Sequence, residues 1–151
     1  MTASASAPHL VAVPADELAA RRARFADRLR RDGFDGAFLL HPSSHFWISG
    51  TLGDGWPFVD ADGAAYLPLR TSVGRARAES PLPLAPVRRL AEVPDALREL
   101  GARVEGVIGL EMDVVPAAVA ERLARAFPRA ELRDVSRAIR EVRSVKSSYE
   151  I

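Results

Sequence analysis

The sequence predicts a three-layer α/β/α sandwich built on a mixed sheet that contains a β-hairpin. Three observations carry this. Segments with apolar residues at helical spacing alternate with short, continuous apolar runs of the kind found in strands buried on both faces. One pair of such runs is joined by a four-residue connection ending in Asp-Gly, the signature of a hairpin. Most prolines and glycines fall at the ends of these segments. At 151 residues the chain is one domain by size, with 48% hydrophobic and 27% charged residues, which is enough to bury a core.

The elements follow in order. Residues 1–14 read as a disordered tail, small and polar and without the basic and apolar regions of a signal peptide. A helix starts near Pro14, with Asp16 as the expected N-cap. Leu18, Phe25 and Leu29 form its stripe, and Gly33 ends it. Ala37–Leu40 is the first buried strand, stopped by His41 and Pro42. Ser43 or Ser44 is expected to cap a brief helix through Ile48, ended by Gly50. Gly50, Gly53 and Gly55 lie on a turn-rich loop. It lacks the Lys-Ser/Thr of a phosphate loop.

Pro57–Val59 and Ala64–Leu67 form the hairpin around Asp60 to Gly63. Asp60 and Asp62 suit the turn, because Asp bonds to its own backbone and Gly accepts positive φ. Thr71–Glu79 reads as a short helix. Three prolines between Pro81 and Val87 confine any strand there to an edge. A helix over Pro94–Leu100 is stopped by Gly101, and Gly106–Leu110 is a second buried strand. Pro116–Phe127 is a helix with Pro in its first turn. Ala130–Val135 is the last strand, and Ser136 is expected to cap a terminal helix that runs to Ser144.

Beyond Ser144 the chain breaks, and Tyr149-Glu150-Ile151 reads as the opening of another helix with Ser147 or Ser148 as N-cap. We therefore expect residues 15–144 to form the domain and residues 145–151 to be a junction to a further one.

Composition narrows the function. Net charge is +1, so no global field points to nucleic acid or to a membrane surface. Lys146 is the only lysine, and the abundant arginine and alanine suit a GC-rich bacterial genome. Arg21-Arg22 and Arg28 to Arg31 read as solvated helix faces. There is no cysteine, which removes disulfides, thiolate nucleophiles and Cys-type zinc sites and is compatible with a cytoplasmic location. No apolar run is long enough to span a bilayer.

The candidate chemistry is sparse. His41 and His45 are four apart, but Pro42 is expected to break a helix joining them, and no Glu follows His41 as in the metalloprotease arrangement. Glu111 and Asp113 follow a strand, where α/β domains place functional residues, and Asp113 equally suits a helix cap. Phe46, Trp47 and Trp56 lie on Ser- and Gly-rich segments, where they either line a pocket or interface or pack over the sheet edge. No nucleophile, base and acid come together in the pattern, so catalysis by this chain alone is not expected.

In order and spacing the segments resemble the N-terminal domain of the creatinase/prolidase family, the "pita-bread" metallopeptidases. The matching pieces are Arg22–Gly33 with Phe34 to Leu40, Pro42, Phe46-Trp47-Ile48-Ser49-Gly50, the hairpin with Asp62-Gly63, Ile108 to Asp113, and Arg143-Ser144-Val145-Lys146-Ser147-Ser148-Tyr149-Glu150-Ile151. The last resembles the family's junction into its catalytic domain. Two departures are Ser44, where the family often has Asn, and Trp47-Ile48-Ser49-Gly50 in place of Tyr-Leu-Thr-Gly.

The resemblance implies a ribonuclease-H-like sandwich without that enzyme's acidic set. It implies no cofactor in this chain. In a C-terminal catalytic domain it implies two divalent metals (Mn, Co or Zn) that activate water on an Xaa-Pro amide. It implies, as partners, that C-terminal domain, a second copy in a homodimer and a proline-containing peptide, with neither nucleic acid nor membrane. His45, Phe46, Trp47, Trp56 and Arg70 are the side chains it suggests for substrate closure or interface, Arg70 through a bidentate contact to a carboxylate. A creatinase-like amidinohydrolase and a catalytically dead peptide- or protein-binding module are the alternatives.

Overall fold

The computed structural model describes residues 12–151. Most of the expected tail lies outside that range; of its last residues, Val13 is buried. The elements are α1 (Ala15–Arg31), β1 (Gly36–Phe38), α2 (Pro42–Ser49), β2 (Phe58–Asp60), β3 (Ala65–Leu69), α3 (Val73–Glu79), β4 (Leu84–Pro86), a 3₁₀ turn (Leu90–Glu92), α4 (Val93–Glu99), β5 (Gly106–Leu110), α5 (Ala117–Ala126), β6 (Ala130–Asp134) and α6 (Ser136–Ser144). The six strands form one sheet in the order β4-β3-β2-β1-β5-β6. The hairpin pair β2–β3 and the pair β1–β2 are antiparallel, whereas β1–β5, β5–β6 and β3–β4 are parallel.

Side-chain alternation along the strands divides the core in two. Ala37, Leu39, Val59 and Leu67 face a layer made by Phe25 and Leu29 of α1, Trp47 and Ile48 of α2, Ala76 of α3, and Ala138 and Ile139 of α6. Phe38, Phe58, Ile108 and Leu110 face the opposite layer, with Val93 and Leu97 of α4, Leu123 of α5 and Phe127 just past its end. Phe38 stacks obliquely on Phe58 and Phe127, with ring centroids 5.0 and 5.3 Å apart. The three layers are thus those expected. On the first face Gly109 takes the place of a side chain, because a Cβ there would lie 2.7 Å from that of Val135. The missing side chain lets the start of α6 settle on β5.

Three caps differ from expectation. Asp16 is not the N-cap of α1. Pro14 holds that position, and Asp16 lies inside the first turn, accepting from the next amide, that of Glu17. In α2 the cap is His41 and neither serine: its Nδ1 accepts from the Ser43 amide at 3.2 Å. Pro42 does not break this helix but opens it, in the first turn, where its absent N–H is not needed. Ser136 is the first residue of α6, and its amide and hydroxyl both donate to Asp134, which does the capping. The end of α1 follows the sequence closely. Gly33 is left-handed at φ 80°, the Gly33 amide donates to Arg30 O, and the Phe34 amide donates to Leu29 O, together a Schellman motif.

The hairpin also forms as read. Gly63 has φ 91°, and Asp60 Oδ1 accepts from the amides of Asp62 and Ala64 at 2.9 and 3.0 Å. β4 is an edge strand, as its prolines require. Among the described residues, no helix is long and apolar enough to cross a membrane.

Candidate functional site

β1 and β5 run in parallel, and their carboxyl ends open on one side of the sheet. That is where open α/β sheets leave room for ligands. Glu111, immediately after β5, is buried there. Its Oε1 accepts from the His41 amide at 3.0 Å and its Oε2 from the Ser44 hydroxyl at 2.7 Å. Arg143 of α6 donates to the same Ser44 hydroxyl at 3.3 Å. Both carboxylate oxygens are thus engaged in tying the start of α2 to the end of β5. Asp113 does not cap α5: it pairs with Arg140, and its amide donates to the Ser136 hydroxyl.

Beside this tie lies a groove of about 490 Å³. Leu40, Trp56, Leu90, Val115 and Val119 give it apolar walls, and Arg70, Arg88, Arg89 and Arg122 a basic rim, with Asp54 as its one carboxylate. The Gly-rich loop that carries Asp54 and Trp56 is fastened to β3. The amides of Arg70 and Thr71 donate to Asp54 O, and the Asp54 amide donates to Thr71 Oγ1. Arg70 Nε lies 2.9 Å from Asp54 Oδ2, and a second guanidinium nitrogen reaches the same oxygen. Arg70 is therefore already held by a carboxylate of its own chain.

A second hollow, of about 540 Å³, lies on the α1–α2 side and includes Arg21, Phe46, Trp47, Leu52, Arg143 and Glu150. Arg21 is 3% exposed, against the solvated reading of the Arg21-Arg22 pair. Burial of a guanidinium demands that its donors be met. Here Nε donates to Glu17 Oε1 at 3.0 Å, Nη1 to Trp47 O at 2.9 Å, and Nη2 faces Glu150 Oε1 at 3.4 Å. The Arg21 guanidinium also lies 5.7 Å from the Trp47 ring and 5.8 Å from that of Tyr149.

Glu150 completes the arrangement. Its Oε1 accepts from Trp47 Nε1 at 3.1 Å, and its Oε2 accepts from the Ser147 amide at 2.9 Å. The Glu150 amide in turn donates to Ser147 O. This is one half of a capping box, with Ser147 as N-cap. The Ser147 hydroxyl points elsewhere and donates to Glu17 at 2.7 Å. Burial alone pushes the Glu150 carboxyl up, but the Ser147 amide, Arg21, Trp47 and Lys146 together hold it below the usual carboxylate range.

The five side chains singled out from sequence are thus distributed over three places. Trp56 and Arg70 line the first groove, and Phe46 and Trp47 the second. His45 lies on neither wall. It is 3% exposed within α2, its Nε2 is buried without a partner, and burial lowers its pKa to about 4 against a smaller upward pull from Asp54. Sequence reasoning missed Arg21 and Glu150, which are 129 positions apart. It also missed the convergence of Arg88, Arg89 and Arg122, for which no local pattern gives a sign. Among the described residues no three His, Asp or Glu side chains gather into a cation site. The donor set here does not fit a divalent metal, and we derive no step through one.

A family model described as the Creatinase/Prolidase N-terminal domain matches residues 21–145. None of the curated proteins matches the chain. Among solved structures, the prolidase from Pyrococcus furiosus superposes with a TM-score of 0.67 at 22% identity, covering 84% of this chain and 39% of that one. The N-terminal domain of the cytoplasmic peptidase PepQ from Mycobacterium tuberculosis gives 0.66 at 24% identity, covering 82% and 98%. The creatinase/prolidase N-terminal domain of an X-Pro dipeptidase from Streptococcus pyogenes gives 0.71 at 18% identity, also covering 82% and 98%. The chain thus spans less than half the length of the Pyrococcus prolidase and nearly the whole of the two isolated domains.

Proposed function

The chain belongs to the creatinase/prolidase N-terminal domain family, and on that premise we propose that it is the non-catalytic N-terminal domain of a proline-specific metallopeptidase. In this reading it supports a homodimer and closes over a substrate site whose metal ligands lie on a C-terminal catalytic domain. The observation that carries the proposal is the family match over residues 21–145, followed directly by the Ser147–Glu150 capping box. That box closes a single turn at Ser148–Glu150, which Glu17, Arg21 and Trp47 hold against α1 and α2, as the first turn of a further helix would be held. Phe46, Leu52 and Tyr149, exposed around the second hollow, give the catalytic domain an apolar surface to rest on. Trp56 and Arg70 are the side chains we assign to closure over the peptide. A cytoplasmic setting and two Mn, Co or Zn ions in the catalytic domain belong to the same proposal.

The test is turnover. The full-length protein is assayed on Xaa-Pro dipeptides, longer Xaa-Pro peptides and creatine, with and without manganese, and residues 1–151 are assayed alongside. We expect metal-dependent Xaa-Pro cleavage by the former and none by the latter. Creatine hydrolysis in place of peptide cleavage would transfer the domain to an amidinohydrolase. Inactivity of a folded, metal-loaded full-length protein would make it a binding module. Chelator-sensitive cleavage by residues 1–151 alone would overturn the non-catalytic assignment.

A further inference from the structure

We propose that the groove at the carboxyl ends of β1 and β5 is a binding site for a small organic anion, an apolar body carrying a carboxylate or phosphate group. The site belongs to this domain itself and does not depend on peptidase activity elsewhere.

The first argument is charge. Four arginines and one aspartate line the groove, whereas the whole chain carries only +1. Asp54 is taken up by Arg70. Among the described residues, Arg88, Arg89 and Arg122 make no ion pair. Glu92 accepts from the Arg88 main-chain amide and, with Asp95 and Glu99, lines the adjoining hollow that Arg88 and Arg89 share, while Arg122 Nε reaches only the Ala118 carbonyl of its own helix, at 3.4 Å. Positive charges gathered around one concavity repel each other, and an oxyanion bound among Arg88, Arg89 and Arg122 would relieve that repulsion while accepting charge-assisted hydrogen bonds.

The second argument is the end of α5. This helix begins at Ala117 with Pro116 at its N-cap and no side chain capping it. Val115, Pro116 and Val119 lie on the groove wall. The free amides and the positive end of the helix dipole therefore add to the field of the arginines on that wall. The third argument is the apolar floor. Trp56, Leu90, Val115 and Val119 offer a surface that a bare inorganic ion would not use. A ligand with a ring or branched chain at one end and an oxyanion at the other satisfies both halves.

Three probes of one shape test this on the 151-residue chain: benzoate, phenyl phosphate and the neutral benzyl alcohol. Amide and indole NMR spectra follow Trp56 Nε1 and the amides of Ala117 and Val119 at constant ionic strength. We expect saturable shifts with benzoate or phenyl phosphate and none with benzyl alcohol; the tighter anion names the oxyanion. Arg122→Glu, on the exposed face of α5, is expected to weaken the preferred probe at least about tenfold, and Arg89→Glu similarly. The unchanged core resonances of Leu29 and Ile139 confirm that each variant is folded. Equal shifts with benzyl alcohol, no saturable shift with either anion, or undiminished affinity in both variants would overturn the proposal. Peptidase assays enter none of these readouts, so the site and the proposed function stand or fall separately.

Discussion

Lowering the pH from 7 to 5 should destabilise this domain through one imidazole. His45 is buried with its Nε2 unpartnered, and its pKa falls from 6.5 to about 4 because the charged form is costly to bury; the pull of Asp54 does not restore it. The sign follows from the direction. The unfolded chain takes up a proton near pH 6.5 and the folded chain does not, so stability present above pH 6.5 is lost as pH falls toward the folded value. At pH 5 the unfolded imidazole is almost fully protonated and the folded one only about a tenth, a difference of about 2 kcal/mol. Below pH 4 the loss reaches about 3 kcal/mol. Urea unfolding of the wild type and of His45→Leu, followed by the fluorescence of Trp47 and Trp56 at pH 7 and pH 5, measures it. The wild type should lose about 2 kcal/mol over that interval and His45→Leu much less. His41 is present in both proteins, so it cancels from the difference. An equal loss in the two proteins would refute the reasoning.

Other perturbations have equally definite outcomes. Glu150→Gln leaves the buried Arg21 with Glu17 as its one carboxylate and should destabilise by about 2 kcal/mol at neutral pH. Because the Glu150 carboxyl is held below its ordinary value, that contribution is lost as pH falls below about 4.5, so wild type and variant should converge in acid unfolding curves. Gly55→Ala places a Cβ 2.2 Å from Pro68 O, the acceptor of the Trp56 amide. Relief would break that bond, so we expect a loss of about 1–3 kcal/mol and a changed Trp56 emission. Asp60→Ala removes two acceptor contacts from the hairpin turn and should cost about 1 kcal/mol in chemical denaturation.

What could be read in advance was local chemistry. Gly33 with its Schellman bonds, the Asp60–Gly63 turn and the edge position of β4 depend on residues a few positions apart, and the structure shows each as expected. The caps at His41 and Asp134 escaped because serines next to each are the commoner capping residues, while an imidazole or a preceding carboxylate does the same work only when the chain bends to bring it there. Arg21 escaped for a different reason. A neighbouring pair of arginines on a helix reads as a solvated face, and nothing nearby announces that Trp47 O and Glu150 will arrive to bury one of them. The arginine groove is the extreme case: Arg88, Arg89 and Arg122 come from the segment after β4 and from α5, and only the sheet order sets them around one space.

The contacts between Glu17 and Ser147, and between Arg21 and Glu150, also change how the chain is connected. Ser147 and Glu17 are 130 positions apart, so their bond closes nearly the whole domain into a ring. A covalent link closing a ring of that size would remove roughly 5 kcal/mol of unfolded-state entropy. Here the closure is non-covalent and reversible, a hydroxyl-to-carboxylate hydrogen bond beside the Arg21–Glu150 ion pair, reinforced by Arg24 reaching the Val145 carbonyl at 3.3 Å. The domain therefore behaves as a loop with a latch at its neck. Protonating Glu150 would loosen that latch through Arg21, Trp47 and the Ser147 amide, and leave the Glu17–Ser147 bond as the remaining closure.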